Sequence, residues 1–439
     1  MFMKLVIFIL FEHACDCIFS ATIDVFELGY MRTIRAALNT IAQWPNATFG
    51  KPGKSDLRVR CLEAYKYVIV AAQILAHIPV LLYLKKYFST ISFIDQGQIY
   101  CNIFLTAIFL QRASLPFQKK YRNTVKKFCL EFHLNHYNYK SDFATKETNR
   151  VNTLCKNVSR ISLCQLFSGI LAYNVVPLTI NIYSGMFSTP MPENKTFVHS
   201  VDYLLPFDAY TDAKGYLLIF CFNWFPSYNI PTAMICYDLL IFTMVFHIWG
   251  HLNILLHDIK TFPRPKVACS EESKLNTILI DNREINRALK DIIDHHTVIK
   301  KFMTEVSETF DVTLCSYLAF HQVMCCLMLL ECSSMEPKAL GKYGILGSVI
   351  FQQLIQTSVV FELIHSKSET LGDHLYSIPW EDMDTDNKKL FVMFLNYVQK
   401  PFGMKACGMV PIGVLTMSAI LRTSVSYFIM LRTLNNEEK

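Results

Sequence analysis

Residues 216–246, YLLIFCFNWFPSYNIPTAMICYDLLIFTMVF, contain one formally charged side chain, Asp238. About 20 apolar residues suffice for a helix to cross a ~30 Å hydrocarbon core. The run therefore predicts a membrane span, longer than it needs to be and broken by Pro226 and Pro231. Six further apolar runs lie outward of it, at about 65–84, 91–110, 161–182, 312–330, 345–364 and 409–430. The quoted run is the fourth of seven.

Lys and Arg alternate in density between these runs. Arg32, Arg35, Lys51, Lys54, Arg58 and Arg60 precede the first, and only Lys85 and Lys86 follow it. The next segment is rich, from Arg112, Lys119 and Lys120 through Arg150 and Lys156; the one after has Lys195 and Lys214. The stretch from Lys260 to Lys301 is dense again, Lys338 and Lys342 are sparse, and Lys367, Lys388, Lys389, Lys400 and Lys405 restore the pattern. Positively charged segments stay cytoplasmic. The expected fold is an all-α membrane protein of seven transmembrane helices, with the N-terminus cytoplasmic and the C-terminus extracellular.

Composition agrees. The chain is 52% hydrophobic and 18% charged, against about 45–50% and about 25% for soluble domains. Its net charge of +6 follows the cytoplasmic segments and faces an anionic leaflet, not a nucleic acid. The fifteen cysteines are scattered, and the longest outer segment, about 183–215, has none, so no extracellular disulfide framework is expected. Cys325 and Cys326 read as small packing side chains. Residues 1–25 form an atypical N-terminal extension. MFMKLVIFILF resembles a signal-peptide apolar core, with Phe19-Ser20-Ala21 a weak cleavage site. Cleavage there opposes the charge pattern, so a start-site artefact or a membrane-lying helix is the expectation.

The cytoplasmic segments carry helical periodicity. Ile285, Leu289, Ile292, Ile299, Met303 and Val306 recur on one face of 281–310. Leu390, Phe391, Phe394, Leu395 and Val398 mark a second helix, capped by Asp386 or Asn387 and ended by Pro401. Two anchor helices, about 281–310 and 386–408, are expected to pack as a bundle below a final helix at about 409–434.

No catalytic set or cofactor motif assembles: there is no Gly-rich phosphate loop, Ser-His-Asp set or HExxH. His247 and His251 have the i, i+4 spacing of metal ligands, but interfacial histidines with a polar edge in water are the preferred reading. His295 and His296 sit on a charged helix and point different ways. Asp95, Asp238, Glu331 and Glu362 lie in or near spans, where ionisable groups are costly. Asp238 is the deepest and needs a partner; structural and permeation roles both stay open. Of three sequons, at Asn46, Asn157 and Asn194, the charge pattern puts only Asn194 outside, as the glycosylation candidate. Phe93, Tyr173, Phe220, Phe222 and Trp224 cluster in the outer halves of spans two to four, with Gly169 one turn from Tyr173. Ordinary helix packing competes with a ligand cavity here. A cavity of this kind suits a small hydrophobic volatile or a lipid-like molecule.

The last sixty residues carry a family resemblance. Tyr376-Ser377-Ile378-Pro379-Trp380-Glu381-Asp382-Met383 is followed by Asn387-Lys388-Lys389, Val398-Gln399-Lys400-Pro401, Lys405-Ala406, Gly408-Met409-Val410-Pro411, Gly413-Val414 and Thr423-Ser424-Val425-Ser426-Tyr427-Phe428. This resembles the C-terminal region of insect odorant receptors, most of all those of moths. Weaker similarity runs from about Gly29. The resemblance implies a subunit of a ligand-gated, non-selective cation channel in the plasma membrane of olfactory sensory neurons. Such a subunit forms a heterotetramer with the odorant receptor co-receptor. Matched on Ser426-Tyr427-Phe428, the pore constriction falls at Met430, Thr433 and Leu434, and Met430 and Thr433 depart from the co-receptor's residues. The long insertion of the co-receptor's second cytoplasmic loop has no counterpart, so the chain reads as a ligand-tuning subunit.

A G-protein-coupled receptor is opposed by the charge alternation and by the absence of a DRY-like triplet. A transporter is opposed by the absence of internal repeats. A gustatory-receptor-like channel shares fold and chemistry, but its TYxxxxxQF ending does not match Thr423–Phe428.

Overall fold

The computed structural model describes residues 24–49, 57–91, 93–188, 191–192, 195–263, 271–332 and 344–437. Of the extension expected at 1–25, residues 1–23 lie outside them, while Asp24 caps the short helical turn Val25–Glu27 and Val25 is buried. The first span is Leu57–Tyr87 and the second Phe93–Ala113. The third is Asp142–Tyr183, the fourth Ala213–Lys260 and the fifth Asp311–Cys332. The sixth is Ile345–Glu369 and the seventh Val414–Glu437. Five of these helices are long and apolar enough to cross a membrane; the apolar part of the seventh, Val414–Met430, is shorter.

The third and fourth spans have 42 and 48 residues. At 1.5 Å per residue they reach about 63 and 72 Å, twice the ~30 Å hydrocarbon core. Both extend into a helical body on the side where residues 24–49 lie, called here the anchor side. The fourth span is its mast: Leu240, Met244, Val245, Ile248, Leu252 and Leu255 are fully buried. The helix stays continuous through Pro226 and Pro231, so the expected break is absent. Buried helices tolerate proline when neighbouring polar side chains serve the disturbed backbone, and Asn174 Nδ2 donates to Ser227 Oγ at this level (2.8 Å).

The anchor-side bundle forms as its periodicity predicts. Glu271–Thr309 is one helix, and Ile285, Leu289, Ile292, Ile299, Met303 and Val306 are all buried. A bend at Phe310 separates it from the fifth span. Thr385–Val398 buries Phe391, Phe394 and Val398. Its cap is Asp384, whose carboxylate accepts from Asn387 N (3.0 Å), in place of the expected Asp386 or Asn387. The expected boundary at 408/409 also moves. Pro401 follows the helix, and strands Lys405–Ala406 and Val410–Pro411 pair as a small antiparallel hairpin before the seventh span begins at Val414. Pro411 cannot donate to a helical ladder, which delays the start.

Candidate ligand chamber and pore helix

At the end opposite the anchor bundle, residues 195–212 fold back over the spans as a lid. Phe197 N donates to Tyr210 O (2.8 Å), closing the lid on itself. The buried Asn181 of the third span holds both backbone groups of Val198, at 2.8 and 2.9 Å. Ser200 O accepts from Tyr173 OH (3.2 Å) and from Gln98 Nε2 of the second span. Leu204 N donates to Pro79 O on the first span (3.1 Å), and Tyr203 OH to Asn223 Oδ1 on the fourth (2.8 Å). Val201, Tyr203 and Ala209 pack with Val80, Ile99 and Ile219. Gly215 makes the last closure possible: a Cβ there would stand 1.9 Å from Asp208 O. His199 Nε2 bonds Ala209 O (2.8 Å), and burial lowers the imidazole pKa.

The sequence-derived chamber residues divide between two places. Tyr173 is hooked into the lid, donating to Ser200 O and facing Asn102 Oδ1 at 3.3 Å. Beside Gly169 a Cβ would meet nothing within 4 Å. Phe220 and Trp224 contact each other edge to face at 6.2 Å on the fourth span, and Phe220 also stacks on Tyr216. Phe222 turns instead to Tyr203 (6.0 Å). The helix of the second span starts at Phe93, whose side chain lies outside the described residues, as does Asn194. Sequence reading missed the polar frame of Asn102, Asn181, Ser200 and Asn223. The signal available was amide side chains at membrane depth.

Two small cavities, about 10 and 20 Å³ and thus on the scale of single waters, lie deeper, around Asp238. The partner that the sequence left unnamed is Arg112. Its Nη2 stands 2.9 Å from Asp238 Oδ1, with the guanidinium 1% exposed, and Nη1 donates to Met234 O. Tyr317 OH, on the cavity wall, bonds Gln353 O (2.9 Å) and Thr357 Oγ1 (2.7 Å). None of the proposed chamber residues lines these two cavities.

The seventh span is held at its base. Val414 N donates to Glu362 Oε2 of the sixth span (3.0 Å), placing a carboxylate at the positive end of the helix. Gly413 leaves room for it, because a Cβ there would lie 2.5 Å from the same oxygen. Higher up, Gln322 Nε2 donates to the buried Ser424 Oγ (3.1 Å), fastening the fifth span to the seventh. The hairpin before the helix is joined to the fifth span by a Cys315–Cys407 disulfide, which the sequence did not announce. Leu415 at the base and Ile429 and Met430 on the outer part of the helix are exposed, Met430 by half. Thr433 returns its hydroxyl to Ile429 O (2.9 Å). The side chain of Leu434 lies outside the described residues.

The histidines are not in water. His133 and His247 are fully buried against Tyr30. His133 Nδ1 accepts from Asn135 N (3.2 Å) and His247 Nδ1 from Leu134 N (3.3 Å). Each ring therefore carries its proton on Nε2. Both Nε2–H groups donate to the Tyr30 hydroxyl oxygen, at 2.8 and 3.2 Å, and the Tyr30 hydroxyl proton goes to Asn152 Oδ1 (2.9 Å). His251 Nε2 bonds Phe132 O (2.8 Å) and its Nδ1 faces His295 Nε2 (3.1 Å). Burial first, then His136 and His251, hold His133 well below the usual imidazole range. Burial and then His251 and Lys140 do the same for His295. Among the described residues no His, Cys, Asp or Glu group is arranged to hold a metal. These rings are structural donors and acceptors.

A lid-covered helical bundle with a clamped final helix has known relatives. The 7tm Odorant receptor family matches residues 130–425. The chain is 21% identical to Odorant receptor 13a of Drosophila melanogaster over 409 residues, covering 89% of this chain and 92% of that protein. It is 23% identical to Odorant receptor 85c of the same species over 305 residues, 67% and 73% of the two chains. Its fold is similar to that of the insect olfactory receptor OR5 from Machilis hrabei, with a TM-score of 0.75 over 93% of this chain and 99% of that one at 13% identity. The same receptor in complex with eugenol gives 0.72, covering 94% and 100%. The chain belongs to the 7tm Odorant receptor family. It is an all-α, multi-pass membrane protein of the insect odorant receptor fold.

Proposed function

We propose that this chain is the odorant-tuning subunit of a ligand-gated, non-selective cation channel. It assembles with the odorant receptor co-receptor as a heterotetramer in the plasma membrane of olfactory sensory neurons, N-terminus inside and C-terminus outside. The observation that carries the reading is the seventh span. Its base is clamped by Glu362 and its side by Gln322, while Met430 and Ile429 on its outer part are left uncovered. A helix held at one end and bare along an apolar strip suits the wall of a pore shared with other subunits. Met430, Thr433 and Leu434 form this chain's part of the constriction, and an apolar ring there closes by dewetting.

The ligand is a small hydrophobic volatile held beneath the lid, among Phe93, Gly169, Tyr173, Phe220 and Trp224. It gates by binding the open arrangement better than the closed one. The alternation of Lys and Arg density supports the orientation, and it puts Asn194 alone of the three sequons outside. Two tests apply. Microsomal synthesis with single Asn→Gln changes should lose a glycan only at Asn194; loss at Asn46 would reverse the orientation. Co-expression with the co-receptor should give odorant-evoked cation currents from a panel of volatiles, and currents needing a G protein would contradict the reading.

A further inference from the structure

Two cysteines meet where the hairpin enters the seventh span. Cys315, half-buried in the first turns of the fifth span, is bonded to Cys407, with the α-carbons 5.8 Å apart. Cys407 is exposed at the hairpin tip. Met409 N closes that tip on Ala406 O (3.2 Å), and φ is +51° at Cys407 and +64° at Gly408. Two positive φ values in succession make a type I′ turn, whose first central position favours Asn, Asp or Gly. A cysteine in that conformation is uncommon, and such a backbone persists where its surroundings hold it. The surroundings here align the thiol independently of the sulfur bond. Gly408 N donates to Asp311 Oδ1 (2.8 Å) and Lys405 N to Ser307 Oγ (3.1 Å). Both contacts tie the hairpin to the segment that contains or leads into the fifth span.

We propose that Cys315 and Cys407 form a reversible oxidation site that pins the base of the pore helix. The proposal rests on the orientation given above, which places the hairpin in the cytosol. Thiols there are kept reduced, so the resting pair is a dithiol and a hydroperoxide closes it. The Cys407 thiolate attacks the peroxide, the O–O bond breaks, and a sulfenic acid and water result. The Cys315 thiolate attacks that sulfur, the S–O bond breaks, and a second water leaves. Two thiols lose two electrons and two protons, and one hydrogen peroxide becomes two waters. The bond fixes the hairpin, and with it the start of the seventh span, to the fifth span across 92 residues of sequence.

The test uses the full chain co-expressed with the co-receptor, with hydrogen peroxide and then dithiothreitol as the only reagents. Free thiols are blocked, oxidised ones reduced and tagged, and the tags mapped by mass spectrometry; the exposed free thiol Cys61, at the basic end of the first span, serves as an internal reference. After peroxide, Cys315 and Cys407 should be tagged together, and basal current should fall at least two-fold and recover in dithiothreitol. Cys407→Gly keeps the turn and loses both effects; Cys315→Ser loses both as well. Both thiols remaining free after peroxide overturns the site. A bond that forms while current is unchanged, rises, or changes equally in Cys407→Gly overturns the pinning. If no current flows in any redox state, the channel reading fails, and the mass map still decides the bond.

Discussion

Glu362 Oε2 accepts the Val414 backbone N–H at 3.0 Å, so a side chain of the sixth span caps the first turn of the seventh. Removing an N-terminal cap costs about 0.5–2 kcal/mol. Glu362→Ala is therefore expected to shift the concentration for half-maximal response by up to about thirty-fold with surface expression maintained. Glu362→Gln keeps an acceptor and should shift it less. Dose–response curves check this, and equal effects of the two substitutions would sink the cap.

Arg112 and Asp238 should behave as a buried pair. Breaking such a pair from one side costs about 3–5 kcal/mol, whereas replacing both members with apolar groups is often near neutral. Asp238→Asn is expected to lower the melting temperature and the yield of monodisperse protein. The double change Arg112→Leu with Asp238→Leu should recover much of both. Size-exclusion profiles after heating measure it. A double variant worse than Asp238→Asn would assign the pair to something other than packing.

The lid depends on the missing side chain at Gly215. With Asp208 O where a Cβ would go, Gly215→Ala must lift the lid backbone and loosen the Tyr173–Ser200 hydrogen bond. The expected result is weaker odorant response, by about ten-fold or more in half-maximal concentration, an amount equal to about 1.4 kcal/mol. Surface levels should be near wild type. Unchanged sensitivity would separate the lid from the ligand.

The Tyr30 junction sets an acid limit on stability. His133 titrates well below the ordinary value in the fold, and near 6.5 when unfolded. Below about pH 6.5 the unfolded chain binds the extra proton first, so stability is full above that pH and declines as pH falls toward the lowered folded value. His295 contributes with the same sign. The melting temperature should be flat from pH 7 to 8 and drop below pH 6. Tyr30→Phe strands two imidazole N–H groups, each costing about 1–3 kcal/mol, and should lower stability across the whole range.

The spans were legible because hydropathy reports what lies in lipid. It said nothing of residues 142–160 or 247–260, where the third and fourth helices continue in contact with protein. Their burial is set by Leu134 and, more remote in sequence, by Tyr30 and the anchor helix. The helical faces at Ile285–Val306 and Phe391–Val398 were readable because each buries a single stripe. The start of the seventh helix was misplaced by five residues: Met409 to Ile412 are mostly apolar but belong to a hairpin that only backbone dihedrals reveal. Charge pairing failed for the opposite reason. Asp238 advertised its need for a partner, but many cations stood at span ends and only packing selects Arg112. The aromatic residues split because Tyr173 has a hydroxyl to satisfy, which draws it to Ser200, while Phe220 and Trp224 satisfy each other.

The central claim is that the outer part of the seventh span lines a gated cation pathway. Basal current and reversal potential in cells co-expressing this chain and the co-receptor test it without any ligand. Met430→Ala should raise basal current several-fold, and a carboxylate at Met430 or Thr433 should raise divalent-cation permeability. Unchanged basal current, selectivity and gating after simultaneous substitution of Met430, Thr433 and Leu434 would contradict the account.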